Sequence, residues 1–282
     1  RSPRGLIARI GRQAVTWGNG LLFNPLDLFN PFAPTDIERE YKIGDDLVFL
    51  EHALPKGNLQ LLYVPRRDPA TGAIEAKEDS AAGKLHIPIG TTEFDVVLAE
   101  HFKDRIAGIG GAGYVGNAAW RCDAVWTFIN ESYERSDCLS LVANIDYSWE
   151  WFGKNLYGFL EFYYNGLGDN DYEKAIGERA VAERLLRGDL YTLGRYYLGG
   201  SIRVELDPLV NFTMTIISNM EDPSGVVQPS LMWDVSASMR ITVGASLFWG
   251  AEDTEYGGFR ILGTSLRYER ADSLYIWAAF YF

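Results

Sequence analysis

Residues 139 to 151 read LSLVANIDYSWEW. One parity of the stretch carries Leu139, Leu141, Ala143, Ile145, Tyr147, Trp149 and Trp151, and the other carries Ser140, Val142, Asn144, Asp146, Ser148 and Glu150. Successive side chains of a strand point to opposite faces, so this pattern gives one face to hydrocarbon and the other to water. The split recurs at Leu198, Gly200, Ile202, Val204 and Leu206, at Val210, Phe212, Met214 and Ile216, and from Met239 to Trp249. Strands of soluble sheets usually run about five or six residues. The alternating runs here are about ten to thirteen residues long, and a tilted strand needs about 9 to 11 to cross a bilayer. Aromatic residues gather toward the run ends, as in Tyr147, Trp149, Trp151, Tyr163, Tyr164, Tyr196, Tyr197, Phe248 and Trp249, where interfacial girdles lie. The fold predicted is all-β: a transmembrane antiparallel up-and-down barrel.

Composition agrees with interleaving. The 282 residues are 47% apolar and 14% aromatic, yet the mean hydropathy is only -0.10, because apolar and polar positions alternate. No run reaches the roughly 18 apolar residues of a spanning helix. A net charge of -12 and a pI near 4.8 argue against a nucleic-acid partner, which calls for a basic patch. Residues 1 to 5 carry no apolar signal region, so the chain reads as mature, trimmed or part of something longer.

Strands are predicted at 5–14, 46–52, 58–65, 81–88, 93–102, 105–114, 118–129, 138–151, 155–165, 195–206, 210–219, 226–236, 239–250 and 272–282. That is fourteen in one domain over 1–282. The connections 53–57, 89–92, 115–117, 152–154, 207–209 and 237–238 are short. The alternate set, which includes 15–45, 66–80, 130–137, 166–194, 220–225 and 251–271, is mostly long. This asymmetry matches short periplasmic turns and longer outer loops, with both termini periplasmic. Residues 259–270 are assigned to the final outer loop. The strands at 46–52, 81–88 and 105–114 carry the weakest signal; in the last, Gly108, Gly110, Gly111 and Gly113 specify register poorly.

The stretch 11–34, GRQAVTWGNGLLFNPLDLFNPFAP, breaks the alternation. Pro25, Pro31 and Pro34 lack amide donors and Asn-Pro pairs favour turns, so it is not a strand. With Leu21, Leu22, Phe23, Leu26, Leu28, Phe29 and Phe32, the 15–45 connection is too apolar to stand in water. It is expected to fold into the barrel mouth as a constriction or plug, with Arg12, Asp27, Arg39 and Glu40 as tethers to the wall. The blander alternative is a loop packed over the rim. The pattern Gly11-Arg12-Gln13, Trp17-Gly18, then Asn24-Pro25, Asp27 and Asn30-Pro31-Phe32 resembles a motif of Gram-negative outer-membrane porin-like barrels. Gly116, Asn117, Trp120, Glu255, Tyr256 and Gly257 fit more loosely. Leu274, Ile276, Ala278, Phe280 and Phe282 share one parity and resemble the terminal strand of such barrels, whose last residue is typically Phe. The resemblance implies outer-membrane lipid and the barrel-assembly machinery, the latter reading Phe282, as partners, in the bacterial outer membrane.

Parity assigns the basic residues Arg9, Lys84, Arg121, Arg203 and Arg240 to the lumen. It also assigns Glu51, Glu93, Asp95, Asp123, Asp146, Glu150, Glu161, Glu205, Asp207 and Asp234 there. Ten acids against five bases suggest mild cation preference, and each Arg–carboxylate pair is as readily a wall brace as a filter. Gln13 and Asp27 join this lining at the constriction. Inward Tyr157, Phe159, Tyr163, Phe248, Tyr275, Trp277 and Tyr281 offer surfaces for aromatic or sugar-like solutes.

The longest loop carries a predicted helix over 171–187, with Asn170 and Glu173 as a capping box, Gly188 as C-cap and an inner face of Tyr172, Ile176, Ala180 and Leu185. Asp169, Asp171 and Glu173 lack the spacing of a calcium loop, so capping is preferred to metal. Cys122 and Cys138 lie too far apart in this register to pair. No G-x-S-x-G elbow accompanies His52, His86 and His101, so catalysis is not expected, and neither metal nor cofactor is assigned. The expected function is a porin-like channel for passive passage of small solutes. A structural or assembly barrel that anchors, sheathes or exports a partner is the alternative, and a barrel enzyme acting on lipids a weaker one.

Overall fold

The computed structural model describes residues 5–36, 41–66, 78–133, 135–261 and 263–281. Its strands are β1 (Leu6–Gln13), β2 (Asp45–Leu54), β3 (Gly57–Val64), β4 (Ser80–Ile89), β5 (Thr92–His101), β6 (Asp104–Val115), β7 (Ala118–Phe128), β8 (Cys138–Trp151), β9 (Lys154–Asn165), β10 (Tyr196–Asp207), β11 (Val210–Asn219), β12 (Ser224–Ser236), β13 (Met239–Trp249), β14 (Phe259–Arg260), β15 (Arg267–Tyr268) and β16 (Ser273–Phe280). Fourteen of them form one antiparallel sheet in chain order, β1 through β13 followed by β16. β14 and β15 pair with each other alone. The loop expected at 259–270 therefore contains a small hairpin of its own.

Period-2 alternation placed every large strand to within about two residues, because pleating acts on each strand whatever its partner. Hairpin geometry explains the short connections. At Phe152-Gly153 both φ angles are positive, 50° and 68°, as a two-residue primed turn requires. Phe102-Lys103 does the same without glycine, at 46° and 76°. Its Phe102 ring packs edge-on to His101 at 4.7 Å and beneath Arg187 at 4.2 Å. Those contacts offset the strain of a non-glycine residue there.

The chain divides into two compact units, one of residues 1–114, 120–143 and 179–191, the other of 115–119, 144–178 and 192–282. In the first, alternate residues of β2, β3, β5 and β6 turn inward: Leu47 and Phe49, Leu62 and Val64, Val97 and Ala99, Ile106. Val48, Leu50, Leu61, Tyr63, Leu98 and Ile109 on the opposite parity are exposed, Leu98 by 64%. In the second, β8, β9, β11 and β12 bury Asn144, Asp146, Glu161, Thr215 and Gln228, while Ile145, Tyr147, Leu160, Ile216 and Leu231 are exposed. The second unit thus buries polar side chains and the first an apolar cluster, while both expose apolar residues on the opposite parity. Tyr197 is buried, against the interfacial position expected of it, and Tyr163, expected both near an interface and on the inward parity, is buried too.

The helix expected over 171–187 is two helices, α1 (Tyr172–Gly177) and α2 (Arg179–Arg187). Gly177 weakens the helix where they meet, and Glu178 is extended at φ -73°, ψ 123°. The cap is Asp171, whose carboxylate accepts from Lys174 N at 3.0 Å, not Asn170. Buried residues are Tyr172, Ala175, Ala180, Val181 and Arg184, so the face expected through Ile176 and Leu185 is rotated. Gly188 ends α2 with φ +75°, as expected of a C-cap.

Candidate functional site

The connection between β1 and β2 lies on the inner face of the first unit. Trp17, Leu26, Leu28 and Phe29 form one buried cluster with Leu47, Phe49, Leu62, Val64, Ala82, Val97, Ile106 and Val125 of the strands. β6 receives it because of two of the glycines that blur its sequence signal. A Cβ on Gly108 would collide with Leu26 Cδ1, and one on Gly110 would stand 2.8 Å from Asn19 Nδ2. These glycines are where the segment docks, a close approach only a missing side chain permits.

Polar groups then fasten it to the wall. Trp17 Nε1 donates to Gln60 of β3 at 2.8 Å. Asn19 donates to both oxygens of Asp123 on β7, its backbone N at 2.6 Å and Nδ2 at 2.7 Å. Tyr191 Oη donates to Pro31 O at 2.7 Å. The expected tethers are different residues. Arg12 sits on β1 and pairs with Asp46 of β2 at 3.1 Å, the neighbouring strand. Asp27 accepts from Trp17 N at 3.3 Å and from Lys42 Nζ at 2.6 Å, so it staples the segment to itself. Arg39 and Glu40 fall outside the described residues.

The Asp27–Lys42 pair is enclosed, with side chains 3% and 6% exposed. Burial pushes the Asp27 carboxyl up to about 6 against the pull of Lys42, and burial also lowers Lys42. A carboxyl raised on folding stabilises closure below its ordinary range, and that contribution is lost as pH rises through about 6. Hydrogen-exchange protection of residues 15–30 is expected to fall about ten- to a hundredfold from pH 4 to 6.5 and to stay level to pH 8. The double variant Asp27→Asn, Lys42→Met should show no such step; a step of equal size in it would refute the assignment to Asp27.

Wall charges are braced locally. Arg9 reaches Glu51 at 3.4 Å and lies 4.8 Å over Phe49. Lys84 meets Asp95 at 3.4 Å, and Arg240 meets Asp234 at 2.7 Å. Glu161, wholly enclosed, accepts from Asn144 at 3.0 Å. Asp146 accepts from Tyr157 at 2.8 Å, and Glu205 from Asn155 at 3.0 Å. Arg203 stacks over Tyr157 at 5.5 Å. Gln13 Nε2 turns back to Gly11 O at 3.5 Å, Arg121 is half-buried on β7, and Glu150 is exposed near the end of β8. The structure thus groups Asp123 with the segment, and Asp146, Glu161, Arg203 and Glu205 on one face of the second unit. It brings no single cluster of all these residues together. Cys122 and Cys138 are both free.

Two groupings escaped the sequence reading. In the first unit, Ser80 Oγ lies 2.9 Å from His101 Nδ1, and His101 Nε2 is 3.6 Å from Asp189. Ser80 is entirely enclosed, and the imidazole is walled by Phe29 at 5.7 Å and Phe102. Ser80 and His101 are thus enclosed, while the Asp189 side chain is 19% exposed. In the second unit, Glu255 is 2% exposed. It accepts from Leu193 N at 2.7 Å, Tyr197 Oη at 2.5 Å and Asn219 Nδ2 at 2.8 Å. Burial nonetheless pushes its carboxyl up. Tyr172 Oη and Glu255 N both donate to Asp222 Oδ2. Its only sequence signal was the Glu255-Tyr256-Gly257 resemblance.

No family model matches the chain, and comparison with curated proteins gives no match.

Proposed function

We propose that the chain is a bacterial outer-membrane channel: the sheet closes β1 onto β16, and small solutes pass along its polar face, narrowed by the segment between β1 and β2. The inverted burial carries this reading. Large apolar side chains such as Leu98, Ile109, Ile145, Trp126 and Trp233 stand exposed, while Asp123, Asn144, Asp146 and Glu161 are buried. Contiguous apolar surface beyond a few hundred Å² is rare on soluble monomers, and lipid removes its cost. Closure also removes the unpaired edges of β1 and β16. The long connections would then lie outside and the short ones in the periplasm. Because the basic residues of the wall largely meet acids, only the excess acid acts on ions, giving potassium a modest advantage over chloride.

The firm docking of the segment favours a second reading, a closed barrel that anchors or sheathes a partner. Reconstitution separates the two. Purified chain in a planar bilayer should give discrete, potassium-preferring steps, and brominated lipid should quench exposed Trp126, Trp151 and Trp233. Quenching without conductance, in the native chain and in one lacking residues 20–36, would favour the closed barrel. Absence of quenching would overturn the membrane reading itself.

A further inference from the structure

Resting on the channel reading, we infer that the inner face of the second unit recognises neutral, polyhydroxylated ring solutes of monosaccharide size, and selects them by hydroxyl pairing and ring stacking rather than by charge. Strand register lays out the surface. One row runs Thr213–Ser230–Gly244–Tyr275 across β11, β12, β13 and β16, and the next runs Asn211–Met232–Thr242–Trp277. A third continues from Ser201 through Thr215 to Gln228. On β11, β12, β13 and β16 these rows hold no group charged at neutral pH. Charges lie at the margins instead: Arg203 and Glu205 on β10, which continue two of these rows, Asp146 and Glu161 beyond them on β8 and β9, and the Asp234–Arg240 pair.

Three features fit a sugar ring. Hydroxyl and amide side chains both donate and accept, as a polyol does; Ser201 bonds Thr215, and Gln228 bonds Ser246, each at 2.9 Å. Aromatic rings flank the rows, Tyr157 and Phe159 on β9 with centroids 6.5 Å apart, and Tyr275 and Trp277 on β16. Gly244 lets the Tyr275 ring lie close over the sheet, where any Cβ would strike its hydroxyl. Finally, Trp277 Nε1 is shielded and donates to no group among the described residues. An indole N–H is donor only and rarely stays unpaired when buried; a turn of the half-buried Trp277 ring toward the rows would give it a solute hydroxyl as acceptor. A charged solute would lose hydration here without a countercharge on these rows.

Swelling of liposomes carrying the full chain tests this with glucose, glucosamine and glucuronate, alike in ring size and differing in charge. Glucose should enter at least about threefold faster than either. Trp277→Phe and Thr213→Val, each checked for native heat-modifiable migration, should lower the ratio of glucose entry to potassium conductance about fivefold. Equal rates for the three solutes, fastest entry of glucosamine, or unchanged ratios in both variants would overturn the inference while leaving the channel standing. Loss of both conductance and swelling in the native chain would instead remove the channel, and the inference with it.

Discussion

Leu26→Asp is expected to release the β1–β2 segment and, on the proposed channel reading, to raise potassium conductance about threefold or more, since a closed barrel of this strand number has a wide lumen once emptied. Leu26 is fully enclosed, seated over Gly108 and Gly110 among Trp17, Phe29 and Val97. A carboxylate there has neither water nor a cation of its own. Asp123, which borders Gly18 and Gly110 together with Leu26, repels it and is already occupied by Asn19. The loss of apolar contact and the uncompensated charge together cost about 3 to 5 kcal/mol. That is comparable with the opening energies of weakly held loops and well below those of sheet cores. The segment should therefore leave while the strands persist. Exchange protection of residues 15–30 should drop about a hundredfold or more, with protection of β8 to β13 unchanged. Gly108→Val should act in the same direction from the wall side. Retained protection in both variants would show that the segment is held by something other than this cluster.

The strands were legible because their signal is local. Whatever strand lies beside it, Leu139 to Trp151 must put Asn144 and Asp146 on one face and Ile145 and Tyr147 on the other. Hence the expected 138–151 coincides with Cys138–Trp151. Turn residues sharpen the ends: Gly153 supplies the positive φ that stops β8 and starts β9. The helical loop was less legible because its capping signals are degenerate. Asn170, Asp171 and Glu173 all suit an N-terminus, and only tertiary contact selects Asp171. Gly177 marked the break, but the two halves are held by unlike partners, Tyr172 by Asp222 and Asn219, Arg184 by Asp104.

Parity put Asp123, Asp146 and Glu161 on a face that the structure buries, but did not tell what they meet. Asp27 read as a tether because it sits in the motif, yet the group that meets it is Lys42, fifteen positions along a segment without period. Asn19 to Asp123 and Trp17 to Gln60 span 104 and 43 residues. Such contacts depend on where a non-repeating loop folds back, which alternation does not encode. The glycines of β6 show the same limit. In sequence they only loosen register, whereas in the structure Gly108 and Gly110 are the complement of Leu26. Ser80, His101 and Asp189 likewise come from β4, β5 and the end of the helical loop, and no spacing rule joins them.

Replacement of Glu255 by alanine should undo the long loops of the second unit while sparing its strands. Three buried donors, Leu193 N, Tyr197 Oη and Asn219 Nδ2, converge on this carboxylate. Removing the acceptor leaves each to bear its own desolvation, about 1 to 3 kcal/mol apiece. Non-additivity and relaxation reduce the sum, so a net loss of about 3 to 5 kcal/mol is expected. The damage should be local, because Tyr197 and Asn219 lie at the ends of β10 and β11 and the ladder between those strands does not depend on Glu255. Glu255→Gln distinguishes charge from acceptor. The wild-type carboxyl is raised by burial, so its ionised form costs the fold something that a neutral amide avoids. The amide, however, sets its N–H2 against a donor in either flip, Leu193 N at the Oε1 position or Asn219 Nδ2 at the Oε2 position. Glutamine should therefore be intermediate, alanine most severe. Protease cleavage within residues 166–195 and 250–272 should accelerate about a hundredfold in the alanine variant and about tenfold or less in the glutamine one. Equal half-lives for alanine variant and native chain would show that the loops are held by Asp222 with Tyr172 and by the β14–β15 hairpin alone.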